Sequence, residues 1–186
     1  MRLQASPLQA SMAKDLNLRQ YQEDILARLD ALSDSVGGTS NSRLGVSIGQ
    51  DRVLVDLAEI SEVLALPEMY PVPLTKSWFL GMANVRGNLY GINDLALLAG
   101  LPATGKKTSN SRVLLINQEL AAQAGLVVDR LIGLRSLEQL KQKKSKKAKA
   151  FCFKPDTYED AEGNTWLELD CHALVNSKEF MQPSLS

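Results

Sequence analysis

The sequence contains few of the residues on which metal centres and disulfide frameworks depend. Its 186 residues include two cysteines, Cys152 and Cys171, and one histidine, His172. The cysteines lack CxxC spacing, which fits neither a zinc site nor a disulfide-rich secreted scaffold. A single histidine cannot supply a multi-histidine metal site. We therefore expect free thiols in a reducing compartment, no metal site and no other cofactor.

Long apolar runs are also missing. No apolar stretch approaches the roughly 18 residues of a membrane-spanning helix, and Met1–Pro7 contain no continuous apolar segment of the signal-peptide type. Apolar residues make up 45% and charged residues 23% of the chain, which excludes a wholly disordered, collagen-like or coiled-coil protein. The sequence predicts a globular protein of the cytoplasm that does not insert into a membrane.

The chain has no net charge, because 21 basic residues balance 21 acidic ones. Residues 1–42, 43–100, 101–150 and 151–186 carry −1, −2, +8 and −5 (4 basic and 5 acidic residues, 4 and 6, 11 and 3, 2 and 7). Six lysines lie within Lys141–Lys149, a run without an aromatic side chain on which bases could stack. The run is more typical of a solvated, mobile connection, and we expect no nucleic-acid partner. A β-barrel nucleic-acid-binding module that uses this run stays open as an alternative function.

Residues 1–42 have the pattern of one amphipathic helix followed by a flexible linker. Residues 33–42 are rich in Ser, Gly, Asn and Thr, which is typical of a linker. The apolar stripe of the helix packs either on the chain's own core or on a partner. We assign residues 43–180 to one domain and 181–186 to a C-terminal tail. The stripe consists of Leu18, Tyr21, Ile25, Leu29 and Leu32.

From Leu44 onward the apolar period changes to two, which indicates β-strands. Short strands at this spacing predict a mainly β fold of two small barrels, divided near residues 101–111. Short helices are predicted at Asp94–Ala99 and Asp170–Phe180. The predicted strands are Leu44–Ile48, Val53–Leu57, Val63–Leu66, Gly81–Val85, Leu89–Asn93, Arg112–Asn117, Ala124–Asp129, Ile132–Leu137, Ala150–Phe153 and Thr165–Leu169.

Two motifs resemble those of enzymes but lack a residue or a geometry that the chemistry requires. Gly100–Lys107 has the glycine and lysine spacing of a phosphate-binding loop, but Lys106 is followed by another lysine instead of the Ser or Thr that would hold magnesium. Cys171 and His172 are adjacent on a predicted helix and point about 100° apart, so they do not readily form a nucleophile–base pair. We expect no enzyme activity; the enzyme alternative is a small hydrolase that uses Cys171 or Cys152 with His172.

The most informative stretch is residues 78–95. It has the pattern of an apolar strand, a tight turn at Gly87-Asn88 and a second strand. Asn84 and Arg86 lie two apart on the first predicted strand and therefore project from one face. In one interpretation Arg86 caps backbone carbonyls beside the turn. In the other, its five donors anchor another protein at a surface edge.

This stretch resembles the CheW-like chemotaxis coupling family, which has a Gly-apolar-Asn-apolar-Arg-Gly hairpin followed by an apolar-Asp-Leu segment. The segment Gly125–Leu134, which contains Asp129, looks like a strand from the second half of that family. The resemblance covers residues 44–175 and is greatest to the PilI-type members, which serve type IV pilus twitching motility. The matching hairpin residues are Gly81-x-x-Asn84-x-Arg86-Gly87 and Ile92-x-Asp94-Leu95.

The resemblance implies two five-stranded SH3-like barrels around a shared core and a non-enzymatic adapter in signal transduction. One surface of such an adapter binds the cytoplasmic tip of a methyl-accepting chemotaxis receptor. Another surface binds the regulatory domain of a CheA-like histidine kinase. The resemblance implies partner-binding roles for Asn84, Arg86 and Gly87. It implies structural roles for Gly81, Asp94 and Asp129.

Overall fold

The computed structural model describes residues 41–102, 107–121 and 123–185. The helix predicted within residues 1–42 lies outside these ranges. The described residues form two mixed β-sheets with a few short helices, which confirms the mainly β prediction. No helix in these ranges is long and apolar enough to cross a membrane.

The strands of the described residues divide between the two sheets without following chain order. The first sheet has the order β8-β1-β2-β11-β10-β9 and the second has the order β3-β6-β7-β5-β4. Each sheet contains one parallel pair, β2 with β11 and β5 with β7. The strands are β1 (Ser42–Ile48), β2 (Asp51–Asp56), β3 (Ile60–Ala65), β4 (Phe79–Val85), β5 (Asn88–Asp94), β6 (Arg112–Ile116), β7 (Ala124–Val128), β8 (Arg130–Ser136), β9 (Lys141–Lys143), β10 (Phe153–Glu159) and β11 (Thr165–Leu169).

Both sheets bury apolar side chains on both faces, which explains why central strands such as β6 and β7 are nearly continuous apolar runs. In the second sheet, Leu114 packs into a core that the two sheets share, whereas Val113 and Leu115 pack into a separate cluster. The first sheet alternates in the same way: Leu167 joins the shared core and Trp166 joins a third cluster. The candidate site therefore lies on a framework packed from both sides.

Aspartates cap the N-termini of two helices. Asp94 accepts hydrogen bonds from the backbone N–H groups of Ala96 and Leu97, and Asp170 accepts one from the backbone N–H of Ala173. The helix predicted at Asp94–Ala99 is confirmed. The helix predicted at Asp170–Phe180 is two helices, because Ser177 interrupts the first and caps the second. The helices are α1 (Leu95–Leu98), α2 (Cys171–Val175) and α3 (Lys178–Met181).

The strand spacing predicted that the strands would divide into two groups near residues 101–111. The sheets of the structure do not divide there. β6 and β7 follow this segment but pair with β3 and β5, which precede it. β1 and β2 likewise pair with β8 and β11 from the C-terminal part. Among the described residues no strand pairing closes either sheet into a barrel. Periodicity identifies a strand and its buried faces but not its neighbour, so the crossing of the chain between sheets was not predictable.

One predicted strand is displaced. The strand expected at Ala150–Phe153 begins at Phe153 and continues through polar residues to Glu159. Its pairing with β11 shifts register between Phe153 and Thr157, and Pro155 lies in this irregular part. Proline is tolerated where no ladder hydrogen bond requires its missing N–H. This strand was not predictable in full, because its polar residues and its proline do not show the apolar alternation that indicates a strand.

Residues 70–76 run beside the second sheet and are held at both ends. Tyr70 forms an isolated bridge with Met82 on β4, and Thr75 forms one with Ser184. The backbone N–H of Leu185 also donates to the carbonyl oxygen of Leu74 at 2.8 Å. Residues 183–185, which we predicted to be part of a tail, therefore pair with the domain.

Candidate functional site

The hairpin of β4 and β5 ends in a two-residue turn formed by Arg86 and Gly87. Val85 pairs with Asn88, and both turn residues have positive φ, 51° for Arg86 and 86° for Gly87. Two positive φ values give the turn a twist that matches the hairpin, and Asn-Gly is a strongly preferred sequence for it. The turn predicted at Gly87-Asn88 is therefore wrong by one residue. Arg86 lies in the turn, not on the strand with Asn84.

Arg86 occupies a backbone conformation that disfavours a residue with a Cβ atom. The left-handed region costs such a residue about 1–2 kcal/mol relative to the usual conformations. Its side chain is 78% exposed, and Nη2 lies 2.8 Å from Oε1 of Glu62. An exposed ion pair of this kind contributes at most about 1 kcal/mol. The local fold alone therefore does not explain an arginine in this turn, which points to a role at the surface.

Asn84 shapes the turn. Its Oδ1 accepts a hydrogen bond from the backbone N–H of Gly87 at 2.9 Å. Asn84, Arg86 and Gly87 are all exposed, and Leu89 on the next strand is 50% exposed. The three predicted partner-binding residues thus form one surface unit, in which Asn84 fixes the turn that presents Arg86. A cation beside an apolar side chain is a chemistry typical of protein interfaces.

Glu62 is a member of this unit to which the sequence assigned no role. It lies on β3 at one edge of the second sheet, whereas Arg86 follows β4 at the other edge. The sheet must curl for these two side chains to meet. The contact of Glu62 with Arg86 was not predictable from the sequence, because it depends on this curvature.

Gly81 allows residues 70–76 to approach β4. Its φ is 135°, which side-chain-bearing residues rarely adopt, and a Cβ atom there would lie 2.3 Å from the carbonyl oxygen of Tyr70. Tyr70 and Met82 exchange two backbone hydrogen bonds, of 2.8 and 2.9 Å, directly beside it. The glycine is required by this close approach of two backbones.

Lys107 joins the two predicted structural carboxylates. Its Nζ lies 2.7 Å from Oδ2 of Asp94 and 3.4 Å from Oδ1 of Asp129. The other oxygen of Asp94 caps α1, and Oδ2 of Asp129 accepts from the backbone N–H of Gly49 at 2.6 Å. Lys107 thereby links β5 and the loop after β7. In the sequence, Lys107 stands out only as the residue that breaks a phosphate-loop pattern.

We expect Asp94→Ala to destabilise the protein by about 3 kcal/mol, because it removes the helix cap and an ion-pair partner of a largely buried lysine. Asp94→Asn keeps the oxygen that caps α1 and loses only the charge. Its free energy of unfolding should fall by about half as much. Urea denaturation of both variants measures the difference, and equal losses would contradict the dual role of Asp94.

The thiols of Cys152 and Cys171 are buried. Burial raises the pKa of Cys152 to about 12. Burial also raises the pKa of Cys171, and the neighbouring carboxyl of Glu59 adds to this effect. A nucleophilic cysteine requires the opposite environment, which lowers the thiol pKa and leaves the sulfur accessible. His172 is exposed on α2. The environment of the thiols therefore gives no support to the hydrolase alternative.

Glu59 is a partly buried carboxyl group near Cys171. Burial raises its pKa above the ordinary value of 4.5, although a hydrogen bond with the Cys171 side chain acts in the opposite direction. Its Oε2 atom is buried and lacks a hydrogen-bond partner among the described residues. The charged form of Glu59 is therefore disfavoured in the folded protein.

We expect Glu59→Gln to change the pH dependence of stability. The raised pKa gives the wild-type protein a contribution that is complete below about pH 4.5 and is lost as pH rises through the pKa of the folded state. Glutamine does not titrate. The stability of the variant relative to wild type should therefore increase between about pH 4 and about pH 7. Urea denaturation at the two pH values tests this, and an unchanged difference would contradict it.

The sequence suggested that the lysine run is a mobile connection between strands. In the structure, part of the run has a regular conformation. Its first residues form β9, the edge strand of the first sheet. Lys143 pairs with Glu159, and Lys149 pairs with Asp51. No group of three or more His, Cys, Asp or Glu side chains within the described ranges is placed to hold a metal ion.

Comparisons with known proteins agree on one family. Residues 43–179 match the family model described as the CheW-like domain. The chain is 29% identical over 130 residues to Protein PilI of Pseudomonas aeruginosa, an alignment that covers 70% of this chain and 68% of that protein. The fold matches the crystal structure of the scaffolding protein TtCheW from Thermoanaerobacter tengcongensis with a TM-score of 0.63 and 18% identity, over 78% of this chain and 97% of that one.

Proposed function

Because this chain belongs to the CheW-like domain family, we propose that it couples a methyl-accepting chemotaxis receptor to a CheA-like histidine kinase. The chain is a CheW-like scaffold of chemosensory signalling. The proposal adds the two partners, the surface that one of them contacts, and a location in the cytoplasm. It also assigns residues 43–180 to the CheW-like domain, with which residues 183–185 of the tail pair. Each sheet is proposed to have a barrel-like curl, which the separate apolar cluster of each sheet supports.

The turn of Arg86 supports the proposal most strongly. The arginine is held in a strained conformation, is largely exposed and is oriented by Glu62. The stability of the turn alone favours Asn-Gly at these two positions. A partner that uses the donors of Arg86 explains why an arginine stands at the first of them. In the proposal this partner is the receptor.

The proposed mechanism is linkage through a common scaffold. Apolar side chains near the hairpin pack against a helical hairpin of the receptor, and Arg86 fixes its register. A second surface holds the regulatory domain of the kinase. If the contacts differ between the signalling states of the receptor, the difference in binding free energy biases the kinase; such couplings are typically about 1–3 kcal/mol.

Capture from cell extract tests the proposed partners. The tagged full chain, expressed in its own organism, should co-purify with a methyl-accepting receptor and a CheA-like kinase identified by mass spectrometry. Arg86→Ala and Arg86→Glu should reduce receptor recovery at unchanged amounts of folded protein. Unchanged recovery with both variants would contradict the assignment of Arg86, and the absence of both partners would contradict the proposed function.

The proposed output is twitching motility, for which the similarity to Protein PilI is the support. Deletion of the gene should abolish surface spreading by type IV pili and leave swimming intact, whereas the reverse pattern would assign the chain to a swimming system. Complementation with the wild-type gene is the control.

Thiol alkylation tests the hydrolase alternative. We expect Cys152 and Cys171 to react with iodoacetamide at least about 100-fold more slowly in the folded protein than in urea, because both thiols are buried and have raised pKa values. Rapid modification of either thiol in the folded state would restore the hydrolase alternative.

A further inference from the structure

The lysine edge belongs to the first sheet, whereas the proposed receptor contact at Arg86 lies on the hairpin of the second sheet. We define it as β9 and the turn that follows, residues 141–149, all of which are exposed. β9 pairs with β10 on one side and has no strand on its other side in the described part of the chain. Its outer backbone N–H and C=O groups are therefore available to another strand.

The turn after β9 is held in a defined conformation. Both carboxylate oxygens of Asp156 accept hydrogen bonds, one from Nε2 of Gln142 on β9 at 2.9 Å and one from the backbone N–H of Ser145 in the turn at 3.1 Å. The hydroxyl of Ser145 donates to the carbonyl oxygen of Lys147 at 3.0 Å. A surface that is already ordered loses less conformational entropy when a partner binds.

Four lysines of this edge have no ion pair with any described residue, namely Lys141, Lys144, Lys146 and Lys147. The carboxylates of Glu159 and Asp51 form ion pairs with the other two lysines, Lys143 and Lys149. The positive charges of the four remain uncompensated by them. The edge therefore combines an open strand with an excess of positive charge.

We propose that the lysine edge docks an extended acidic segment of a protein partner, which adds to the first sheet as a strand beside β9. Lysines on an edge strand discourage pairing with uncharged strands, and the same lysines favour a strand that carries carboxylates. The open backbone groups distinguish this occupant from others, because a polypeptide satisfies them whereas a nucleic acid or a lipid surface does not. The absence of stacking aromatic residues within the run also disfavours single-stranded nucleic acid.

Peptide binding to the full chain tests the proposal. The probe is a fluorescein-labelled peptide of about ten residues in which glutamate alternates with threonine, and a fully N-methylated version of it removes the backbone donors. Fluorescence anisotropy at about 50 and about 200 mM salt should give tighter binding at low salt. Lys144→Gln/Lys146→Gln should weaken binding about fivefold. The N-methylated peptide should bind at least about tenfold more weakly than its parent.

The matched control removes two positive charges elsewhere, as Lys76→Gln/Lys178→Gln, and should change the affinity by less than about twofold. Equal binding of the two peptides would overturn strand addition. Equal losses in the two double variants would overturn the assignment to the lysine edge. Tighter binding of an oligothymidylate of about 20 nucleotides, or of vesicles containing phosphatidylserine, would overturn the choice of an acidic polypeptide. None of these outcomes depends on whether Arg86 binds a receptor.

Discussion

Replacing Gly81 with alanine is expected to cost about 3 kcal/mol or more of the free energy of unfolding. The φ of 135° is unfavourable for alanine, and the new Cβ atom would lie 2.3 Å from the carbonyl oxygen of Tyr70. Residues 70–76 must move away from β4 to relieve this steric clash, and the movement breaks the two backbone hydrogen bonds between Tyr70 and Met82. Urea denaturation followed by circular dichroism measures the loss.

Gly163→Ala is the matched control for this substitution. Gly163 also has positive φ, at 81°, but no atom lies within 4 Å of a Cβ built there. Only the conformational cost remains, so the variant should lose about 1 kcal/mol. Losses of the same size in the two variants would contradict the close approach of residues 70–76 as the reason for Gly81.

Arg86→Asn is expected to weaken receptor binding at least about tenfold while leaving the fold intact. Asparagine is well suited to the first position of this turn, so the substitution relieves backbone strain as it removes the ion pair with Glu62. These two effects are similar in size, and we expect the free energy of unfolding to change by less than about 1 kcal/mol. Titration with a purified cytoplasmic receptor fragment, combined with urea denaturation, separates binding from stability.

Arg130→Asn controls for the loss of one exposed arginine. Arg130 is exposed at the start of β8, in the other sheet. Its substitution should leave receptor affinity within about twofold of wild type. If Arg86→Asn binds the receptor as tightly as wild type, the strained arginine does not serve the receptor. If the Arg86→Asn variant does not fold, the role of Arg86 is structural.

Local chemistry made much of the fold predictable. Alternating apolar residues located most strands, and the helix predicted at Asp94–Ala99 matches α1 to within one residue at each end. The identity of neighbouring strands was not predictable, because β1 and β2 join the C-terminal strands across most of the chain. Contacts between residues so distant in sequence leave no signal in periodicity.

The candidate site was predictable in position but not in geometry. The motif placed Asn84 and Arg86 together, yet their relation depends on which two residues form the turn. Asn-Gly preferences would not place an arginine at positive φ, so the strain became visible only in the structure. Lys107 was overlooked for a related reason: its two carboxylate partners lie on β5 and after β7, which only the folded sheet brings together.

The most direct test of the account is the mass of a reconstituted assembly. The chain, a receptor cytoplasmic fragment and the regulatory domain of the kinase are mixed and examined by sedimentation velocity. We expect one species that contains all three proteins, and Arg86→Asn should release the receptor while the kinase domain stays bound. Binding of neither partner, or binding of receptor and kinase only in competition with each other, would contradict a scaffold that couples the two.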